Sequence, residues 1–247
     1  MSDAELAGHI ARLAGDLLLS LQSSQLFTGQ ALGQAGDRVA NAFIIEALRA
    51  QRPDDAILSE EEQDNAARLA ARRVWIIDPL DGTREYGECR TDWAVHIALA
   101  IDGIPALGAV ALPGRGEVYT SATKTMGAPA NSPLKMLISR TRPAAEAMKV
   151  ASAMGAELLP MGSAGAKTCA ILRGEADIYL HTGGQFEWDS CAPVAIAQAA
   201  GLHTSRIDGS ALVYNRANPY LPDLLICHPA HAARILAIVA ERETATG

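Results

Sequence analysis

Residues 75–86 read WIIDPLDGTREY, and this stretch decides how the rest of the chain is interpreted. Its apolar half is typical of a strand that is buried on both faces. The run ends in Asp78-Pro79-Leu80-Asp81, so two carboxylates lie within one turn at the edge of a core. Two interpretations are open at this point: a strand end with ordinary turn-forming residues, or a cage for a metal ion.

The two aspartates favour the metal site. Close anions at the edge of a core are costly unless they are paired, and the stretch offers no Lys or Arg before Arg84. Divalent cations would remove the repulsion, and carboxylates with a backbone carbonyl suit Mg²⁺. Gly82 and Thr83 add backbone N–H groups and a hydroxyl at a predicted helix start, which suits a phosphate. The stretch therefore predicts metal-assisted phosphoryl chemistry.

The composition limits the classes of partner. A chain of 247 residues with 49 % hydrophobic residues suits one large globular domain or two small ones. With 21 basic and 28 acidic residues the net charge is −7, and there is no Lys/Arg run, so nucleic acid and membrane surfaces are excluded as expected partners. The four cysteines form no CxxC pair, and the N-terminus lacks a signal-peptide pattern. We expect reduced thiols and a cytoplasmic location.

Apolar periodicity predicts helices and strands along the whole chain. Helices are predicted over about residues 3–22, 37–51, 143–155, 163–173, 190–200 and 229–242. Strands are predicted over about residues 56–62, 74–79, 135–140, 176–181 and 224–228, together with a meander of three runs within 93–123. In the meander, Asp102-Gly103 predicts a two-residue hairpin and residues 113–116 a second turn.

The order of these elements predicts two subdomains. Residues 1–130 combine helices with an antiparallel meander, which indicates an α+β subdomain that carries the metal-binding motifs. Residues 131–247 alternate helices and strands, which indicates an α/β subdomain that completes the site. Residues 127–133, GAPANSP, are the best linker by composition.

Six acids along the chain are candidates for the site: Asp37, Glu60, Glu61, Asp78, Asp81 and Asp189. Each has an ordinary structural explanation when it is taken alone. Asp37 and Asp189 could be helix N-caps, and Glu60 could belong to a solvated acidic patch. Only the six acids taken together, with Asp78 and Asp81 at the end of a buried strand, favour a shared metal site.

Three motifs resemble those of the inositol monophosphatase superfamily of Mg²⁺-dependent phosphatases. SEE at 59–61, WIIDPLDGT at 75–83 and EWDSCAP at 187–193 occur in the family order. They correspond to the family patterns GEE, W-x-x-D-P-x-D-G-T/S and W-D-x-A-A/P. The resemblance covers nearly the whole chain and implies the family's fold, a layered αβαβα sandwich of mixed α+β and α/β character.

The resemblance also implies a role for each matching residue. The metal ligands would be Glu60, Asp78, the Leu80 carbonyl, Asp81 and Asp189, which together hold two or three Mg²⁺ ions, with Asp78 bridging two of them. The catalytic residues would be Asp37, Glu60 and Thr83. Thr83 would orient the attacking water, and Asp37 would help to activate it or bind a third metal. Gln34 departs from the family, since relatives often carry a threonine there.

Within the superfamily, the chain resembles the bacterial 3′-phosphoadenosine 5′-phosphate phosphatases of the CysQ type. Arg84-Glu85 continues the central motif as it does in that group, and residues 205–229 resemble its actinobacterial branch. Lys167 stands where the group has a lysine near the nucleotide phosphate; a surface lysine is the alternative. His181 stands where some relatives have a phosphate-contacting arginine. The implied substrate-binding residues are Asp81, Gly82, Thr83, Arg84, Ser163, Lys167 and Asp189.

The sequence thus predicts a Mg²⁺-dependent 3′(2′),5′-bisphosphate nucleotidase. By resemblance, a metal-activated water would attack the phosphate monoester in line and release AMP and phosphate from 3′-phosphoadenosine 5′-phosphate. Inositol monophosphatase or fructose-1,6-bisphosphatase activity, singly or combined, is the alternative within the class. A catalytically silent Mg²⁺- or nucleotide-binding homologue is the alternative outside it, although every motif residue is present. The family resemblance also implies a homodimer.

Overall fold

The computed structural model describes residues 1–122 and 133–241. Within these ranges the α-helices α1 to α7 span Asp3–Ser23, Gly29–Gln51, Thr83–Gly87, Ala145–Met154, Ala164–Leu172, Glu187–Ala199 and Pro229–Ala240. The strands β1 to β10 span Ala56–Ser59, Arg73–Asp81, Ala94–Ile101, Ile104–Leu112, Glu117–Thr120, Lys135–Ser139, Glu157–Met161, Ile178–Phe186, His203–Ser205 and Tyr220–Cys227. Short 3₁₀ helices cover Ala66–Ala70 and Pro113–Arg115.

Two five-stranded sheets organise these elements. The first has the order β1-β2-β3-β4-β5 and is antiparallel except where β1 runs parallel to β2. The second has the order β7-β6-β8-β10-β9, in which β6 runs parallel to both of its neighbours and β10 runs antiparallel to both of its own. The meander expected from the sequence is confirmed as strands β3 to β5.

Helices and sheets stack in five layers. Helices α1 and α2 cover the outer face of the first sheet with a cluster that includes Leu18, Ile44 and Trp75. Helices α5 and α6 fill the space between the two sheets. Helices α4 and α7 cover the outer face of the second sheet, where Val150 and Ile235 are buried. This arrangement confirms the predicted αβαβα fold.

Strand β2 carries the apolar half of WIIDPLDGTREY through the first sheet. Trp75 and Ile77 are packed in the α1–α2 layer, whereas Ile76 belongs to the core around α5 and α6. Because side chains alternate along a strand, Asp78 follows Ile76 to the side of the central helices. A register shift between Asp78 and Asp81 then bends the strand end.

Helix α2 begins earlier than the sequence pattern indicated. The prediction of residues 37–51 was wrong at its start, because the helix begins at Gly29 and therefore contains Asp37 in its interior. Glycine has a low helix propensity, so the glycines before residue 37 weaken the sequence pattern of this part of α2. Packing nevertheless requires a glycine here. A Cβ atom on Gly33 would lie 2.6 Å from Cγ2 of Thr83. The missing side chain lets α2 approach α3, and an N-cap role for Asp37 is excluded.

Two short strands, β7 and β9, were not expected from the sequence. The four cysteines are free thiols. No helix in the described ranges has both the length and the hydropathy of a membrane span. Residues 127–132 of the expected linker, the border between the two expected subdomains, and the expected helix end at residue 242 lie outside the described ranges.

Candidate active site

Three aspartates from distant parts of the chain converge beside the central helices. Carboxylate oxygens of Asp78, Asp81 and Asp189 all lie within 4.8 Å of one another. The first two come from the end of β2, and Asp189 comes from the first turn of α6, where it also accepts a hydrogen bond of 2.6 Å from the Phe186 amide. Three carboxylate oxygens at this spacing provide the hard ligands that a divalent cation needs.

The carboxylates of the site repel one another strongly. Burial, followed by repulsion from Glu60 and Asp81, raises the pKa of Asp78 well above its usual range. Burial and the Asp81 charge raise the pKa of Asp189 to about 6. Glu60 is an exposed residue outside the group of three, but desolvation of its carboxyl and repulsion from Asp189 and Asp37 raise its pKa to about 8. A bound divalent cation would offset this repulsion, so the donor set fits Mg²⁺.

Asp81 differs from its neighbours because protein groups hold one of its oxygens. Its Oδ2 accepts hydrogen bonds from the Ser163 hydroxyl at 2.5 Å and the Gly165 amide at 3.1 Å. Nε2 of His96 lies 3.2 Å from the same oxygen. Burial would raise the pKa of Asp81, but the His96 and Ser163 contacts outweigh it and lower the pKa to about 2. No described residue donates a hydrogen bond to Oδ1, which is left for a ligand.

These pKa values predict that the cation-free protein loses stability as the pH rises. Glu60 and Asp189 have ordinary pKa values of 4.5 and 3.8, and in the folded chain these rise to about 8 and about 6. The folded state therefore holds more protons across this window, and the free energy of unfolding falls as the pH increases through it. Mg²⁺ binds the deprotonated groups, so its stabilising effect should grow with pH.

The effect can be measured by thermal unfolding in EDTA and in Mg²⁺, at about pH 5 and again at about pH 8. Most of the protons held by Glu60 and Asp189 should be released between these two pH values. We expect the increase in Tm on adding Mg²⁺ to be clearly larger at the higher pH. An increase in Tm that is equal at both pH values would show that these carboxyls do not bind the ion.

Two of the three catalytic residues expected from the sequence, Asp37 and Thr83, meet where α2 packs on α3. Oγ1 of Thr83 donates a hydrogen bond of 3.1 Å to the Leu80 carbonyl and lies 3.5 Å from Oδ1 of Asp37. Burial and repulsion from Glu61 raise the pKa of Asp37 to about 7. Gly82, the N-cap of α3, has a φ of 95°, which favours glycine. The fold thus places a hydroxyl, a carboxyl and a carbonyl next to the aspartate cluster.

A cleft of about 540 Å³ opens over Asp81 and Asp189. All the residues predicted to bind substrate line it: Asp81, Gly82, Thr83, Arg84, Ser163, Lys167 and Asp189. Its other lining residues include Glu85, Arg140, Arg142, Tyr179 and His181. The cleft therefore joins an acidic wall at the ends of β2 and α6 to a wall that carries several cationic side chains.

Two arginines of this second wall, Arg140 and Arg142, were not among the residues predicted from the sequence. Arg140 donates to Glu85 at 2.9 Å and to Glu88 at 3.0 Å, which fixes its side chain at the cleft. The Arg84-Glu85 pair therefore does more than extend a motif, because Glu85 anchors Arg140, the residue that directly follows β6. Arg84 and Arg142 are exposed and have no ion-pair partner within the described ranges. Only the three-dimensional structure brings these distant residues together.

Lys167 is not a surface lysine. Its residue exposure is 5 %, and its ammonium donates to the carbonyls of Gly162 at 3.2 Å and Ser163 at 3.1 Å. Nζ also lies 5.0 Å from the centroid of the Tyr179 ring. Burial lowers the pKa of this lysine, while the Asp81 charge raises it. Because an ammonium has three N–H donors and two are used, one remains for a ligand in the cleft.

His181 carries no positive charge near neutral pH. Burial, with the Lys167 charge as the next cause, lowers its pKa to about 4. Its Nε2 is buried, and no described residue forms a hydrogen bond with it. His181 therefore does not replace the positive charge of an arginine at this position. The cationic side chains that line the cleft are those of Lys167 and the arginines.

His96 is a further residue that the sequence reading missed. It lies on β3 with no exposed surface and contacts two parts of the site. The signal was present in AVHIALAI, residues 94–101, where one imidazole interrupts an apolar strand. A buried polar side chain in such a strand requires a partner.

Known proteins support the same class. The sequence matches the model of the inositol monophosphatase family over residues 28–244. The 3′-phosphoadenosine 5′-phosphate phosphatase of Mycobacterium leprae is 48 % identical over 256 residues, covering 98 % of this chain and 94 % of that protein. The 3′(2′),5′-bisphosphate nucleotidase CysQ of Escherichia coli is 31 % identical over 199 residues, covering 76 % of this chain and 81 % of that protein.

A solved structure agrees with the fold and the family. CysQ from Bacteroides thetaiotaomicron superposes with a TM-score of 0.80 at 25 % identity, covering 92 % of this chain and 97 % of that one. The chain therefore belongs to the inositol monophosphatase family and is a phosphatase. Phosphatases of this family use Mg²⁺, and the three clustered aspartates are placed to hold such an ion.

Proposed function

We propose that this phosphatase is a Mg²⁺-dependent 3′(2′),5′-bisphosphate nucleotidase that hydrolyses 3′-phosphoadenosine 5′-phosphate to AMP and phosphate. The observation that carries the proposal is the two-sided cleft. Its acidic wall suits the metal-bound phosphate that is cleaved, and its wall with Arg84, Arg142 and Lys167 suits a second phosphate on the same substrate. The names of the relatives point to the same substrate.

The metal ligands would be Asp78, Asp81 and Asp189, with Glu60 and the Leu80 carbonyl completing two Mg²⁺ sites. A third ion beside Asp37 is also consistent with the raised pKa of that carboxyl, about 7. Bound Mg²⁺ would offset the phosphate charge and lower the pKa of water. The number of ions, the homodimer and the cytoplasmic location remain predictions.

Asp37 and Thr83 would position and deprotonate the attacking water. Because the Thr83 hydroxyl donates to the Leu80 carbonyl, its lone pairs are free to accept from a water molecule. The Asp37 carboxylate, 3.5 Å from that hydroxyl, would accept the second hydrogen of the same water. A carboxyl with a pKa of about 7 is matched to general-base catalysis near neutral pH.

The cationic wall would bind the phosphate that is not cleaved. Lys167 has one N–H left for this purpose, and Arg84 and Arg142 are free to turn toward an anion. Arg140 is held by two glutamates, so it would contribute shape and a fixed charge to the rim. A monophosphate would use the metal site alone and gain nothing from these cations.

A comparison of kcat/KM at fixed Mg²⁺ tests the proposal. The substrates are 3′-phosphoadenosine 5′-phosphate, adenosine 3′-phosphate, inositol 1-phosphate and fructose 1,6-bisphosphate. We expect the bisphosphorylated nucleotide to be preferred over its 3′-monophosphate, because a charge-assisted contact contributes about 1.5–3 kcal/mol. A preference of about tenfold or more for inositol 1-phosphate, equal to about 1.4 kcal/mol, would refute the nucleotidase assignment.

A further inference from the structure

His96 joins two of the elements that carry metal ligands. Its Nε2 lies 3.2 Å from Oδ2 of Asp81, and its Nδ1 lies 3.3 Å from the carbonyl oxygen of Trp188. Trp188 directly precedes Asp189 in the first turn of α6. A single buried imidazole on β3 therefore spans the distance between the end of β2 and the start of α6.

We propose that His96 is a positioning residue that fixes Asp81 relative to Asp189 and thereby sets the metal affinity of the site. The inference rests on the metal site proposed above, but it concerns a residue that is not itself a ligand. His96 acts through the carboxylate of Asp81 and through the backbone of Trp188. Groups that orient metal ligands in this way commonly change metal affinity by about 10–100-fold.

The chemistry of the two contacts fixes the imidazole ring. A carbonyl oxygen can only accept, so Nδ1 of His96 carries a hydrogen and donates it to the Trp188 carbonyl. This contact sets the ring plane and directs Nε2 at Asp81. Oδ2 of Asp81 already accepts hydrogen bonds from Ser163 and Gly165. A rotation of the carboxylate would break these contacts, so Oδ1 keeps one direction toward the metal site.

Helix α5 packs closely against the buried ring of His96. A Cβ atom on Gly165 would overlap Nε2 of His96 and would lie 2.8 Å from Cγ1 of Val110. Helix α5 can therefore approach β3 only because residue 165 has no side chain. Nε2 is fully buried and forms no hydrogen bond with a described residue, and it lies 3.2 Å from Oδ2 of Asp81, so the ring occupies the space into which that carboxylate could otherwise turn.

Calorimetric titration of Mn²⁺ into the metal-free full-length protein tests the proposal without relying on activity. His96→Leu replaces the imidazole by an apolar side chain of similar size and removes both contacts. We expect its Mn²⁺ affinity to fall by about 10–100-fold. His96→Gln retains an amide that can replace one of the contacts, so we expect an intermediate loss. In turnover assays, the apparent KM for Mg²⁺ should rise while kcat recovers at saturating metal.

Val110→Ala is the matched control. It removes buried volume beside Gly165 but leaves every hydrogen bond to Asp81, so we expect wild-type Mn²⁺ affinity. Wild-type affinity in His96→Leu, or an equal loss in Val110→Ala, would overturn the proposal. If His96→Leu does not fold, unchanged affinity in His96→Gln overturns it instead. If the wild-type protein binds no Mn²⁺, the proposed metal site is refuted, and with it the role of His96 in that site.

Discussion

Replacing Asp81 by asparagine should reduce kcat/KM by more than about 100-fold. A loss of up to about 100-fold is typical when a residue that only orients a metal ligand is replaced, and Asp81 is proposed to be a ligand itself. The reason is that the proposed role of Asp81 requires both of its carboxylate oxygens. Oδ2 accepts from Ser163 and Gly165 and faces His96, whereas Oδ1 is left for the metal. An asparagine has one oxygen and must turn its NH₂ group either toward these donors or toward the cation.

Release of phosphate from 3′-phosphoadenosine 5′-phosphate at saturating Mg²⁺ measures this effect. Asp223→Asn is the matched control, because Asp223 is also buried at 8 % exposure and forms an ion pair of 2.6 Å with Arg206 away from the cleft. We expect this control to lower the Tm but to keep its kcat/KM. Wild-type turnover in Asp81→Asn would show that the aspartate cluster is not the metal site.

Replacing Lys167 by methionine should lower kcat/KM for 3′-phosphoadenosine 5′-phosphate by about 10–100-fold, the equivalent of a charge-assisted hydrogen bond of about 1.5–3 kcal/mol. Activity on adenosine 3′-phosphate should fall much less, because only the bisphosphate presents a second anion to the remaining N–H of Lys167. Methionine fills similar volume, which limits any cavity beside the Tyr179 ring.

The comparison needs a lysine with similar internal contacts but outside the cleft. Lys149 donates a hydrogen bond of 2.6 Å to the Ile238 carbonyl between α4 and α7. Lys149→Met should therefore lose some stability and leave the substrate preference unchanged. Equal losses on the two nucleotides in Lys167→Met would mean that this lysine supports the Gly162–Ser163 turn and does not recognise the second phosphate.

Local patterns were sufficient to predict most of the helices and strands and the acidic strand end, whereas the αβαβα arrangement was predicted from the resemblance to the inositol monophosphatase superfamily. The apolar run before Asp78 predicted a buried strand, and Asp102-Gly103 adopts positive φ at both residues, as the hairpin requires. A metal site could be proposed because only Pro79 and Leu80 separate Asp78 from Asp81. Asp189 was added through its motif, and the structure places it within reach of both.

Other parts of the site depend on contacts between distant segments. The hydrogen bonds of Ser163 and Gly165 to Asp81 join residues more than 80 positions apart, and the Arg140–Glu85 pair spans 55. No period or motif encodes such a contact. The early turns of α2 were missed for a related reason, since Gly33, which weakens the helix pattern, is required by packing against the distant residue Thr83.

The occupied oxygen of Asp81 has a consequence for ion selectivity. A carboxylate that gives one oxygen to Ser163 and Gly165 can coordinate a cation only through the other, so chelation by both oxygens is closed. Ca²⁺ commonly takes about six to eight oxygens and accepts such chelation, whereas Mg²⁺ requires single oxygens in near-octahedral array. We therefore expect the proposed metal site to favour Mg²⁺ over Ca²⁺, because Asp81 offers the ion a single oxygen.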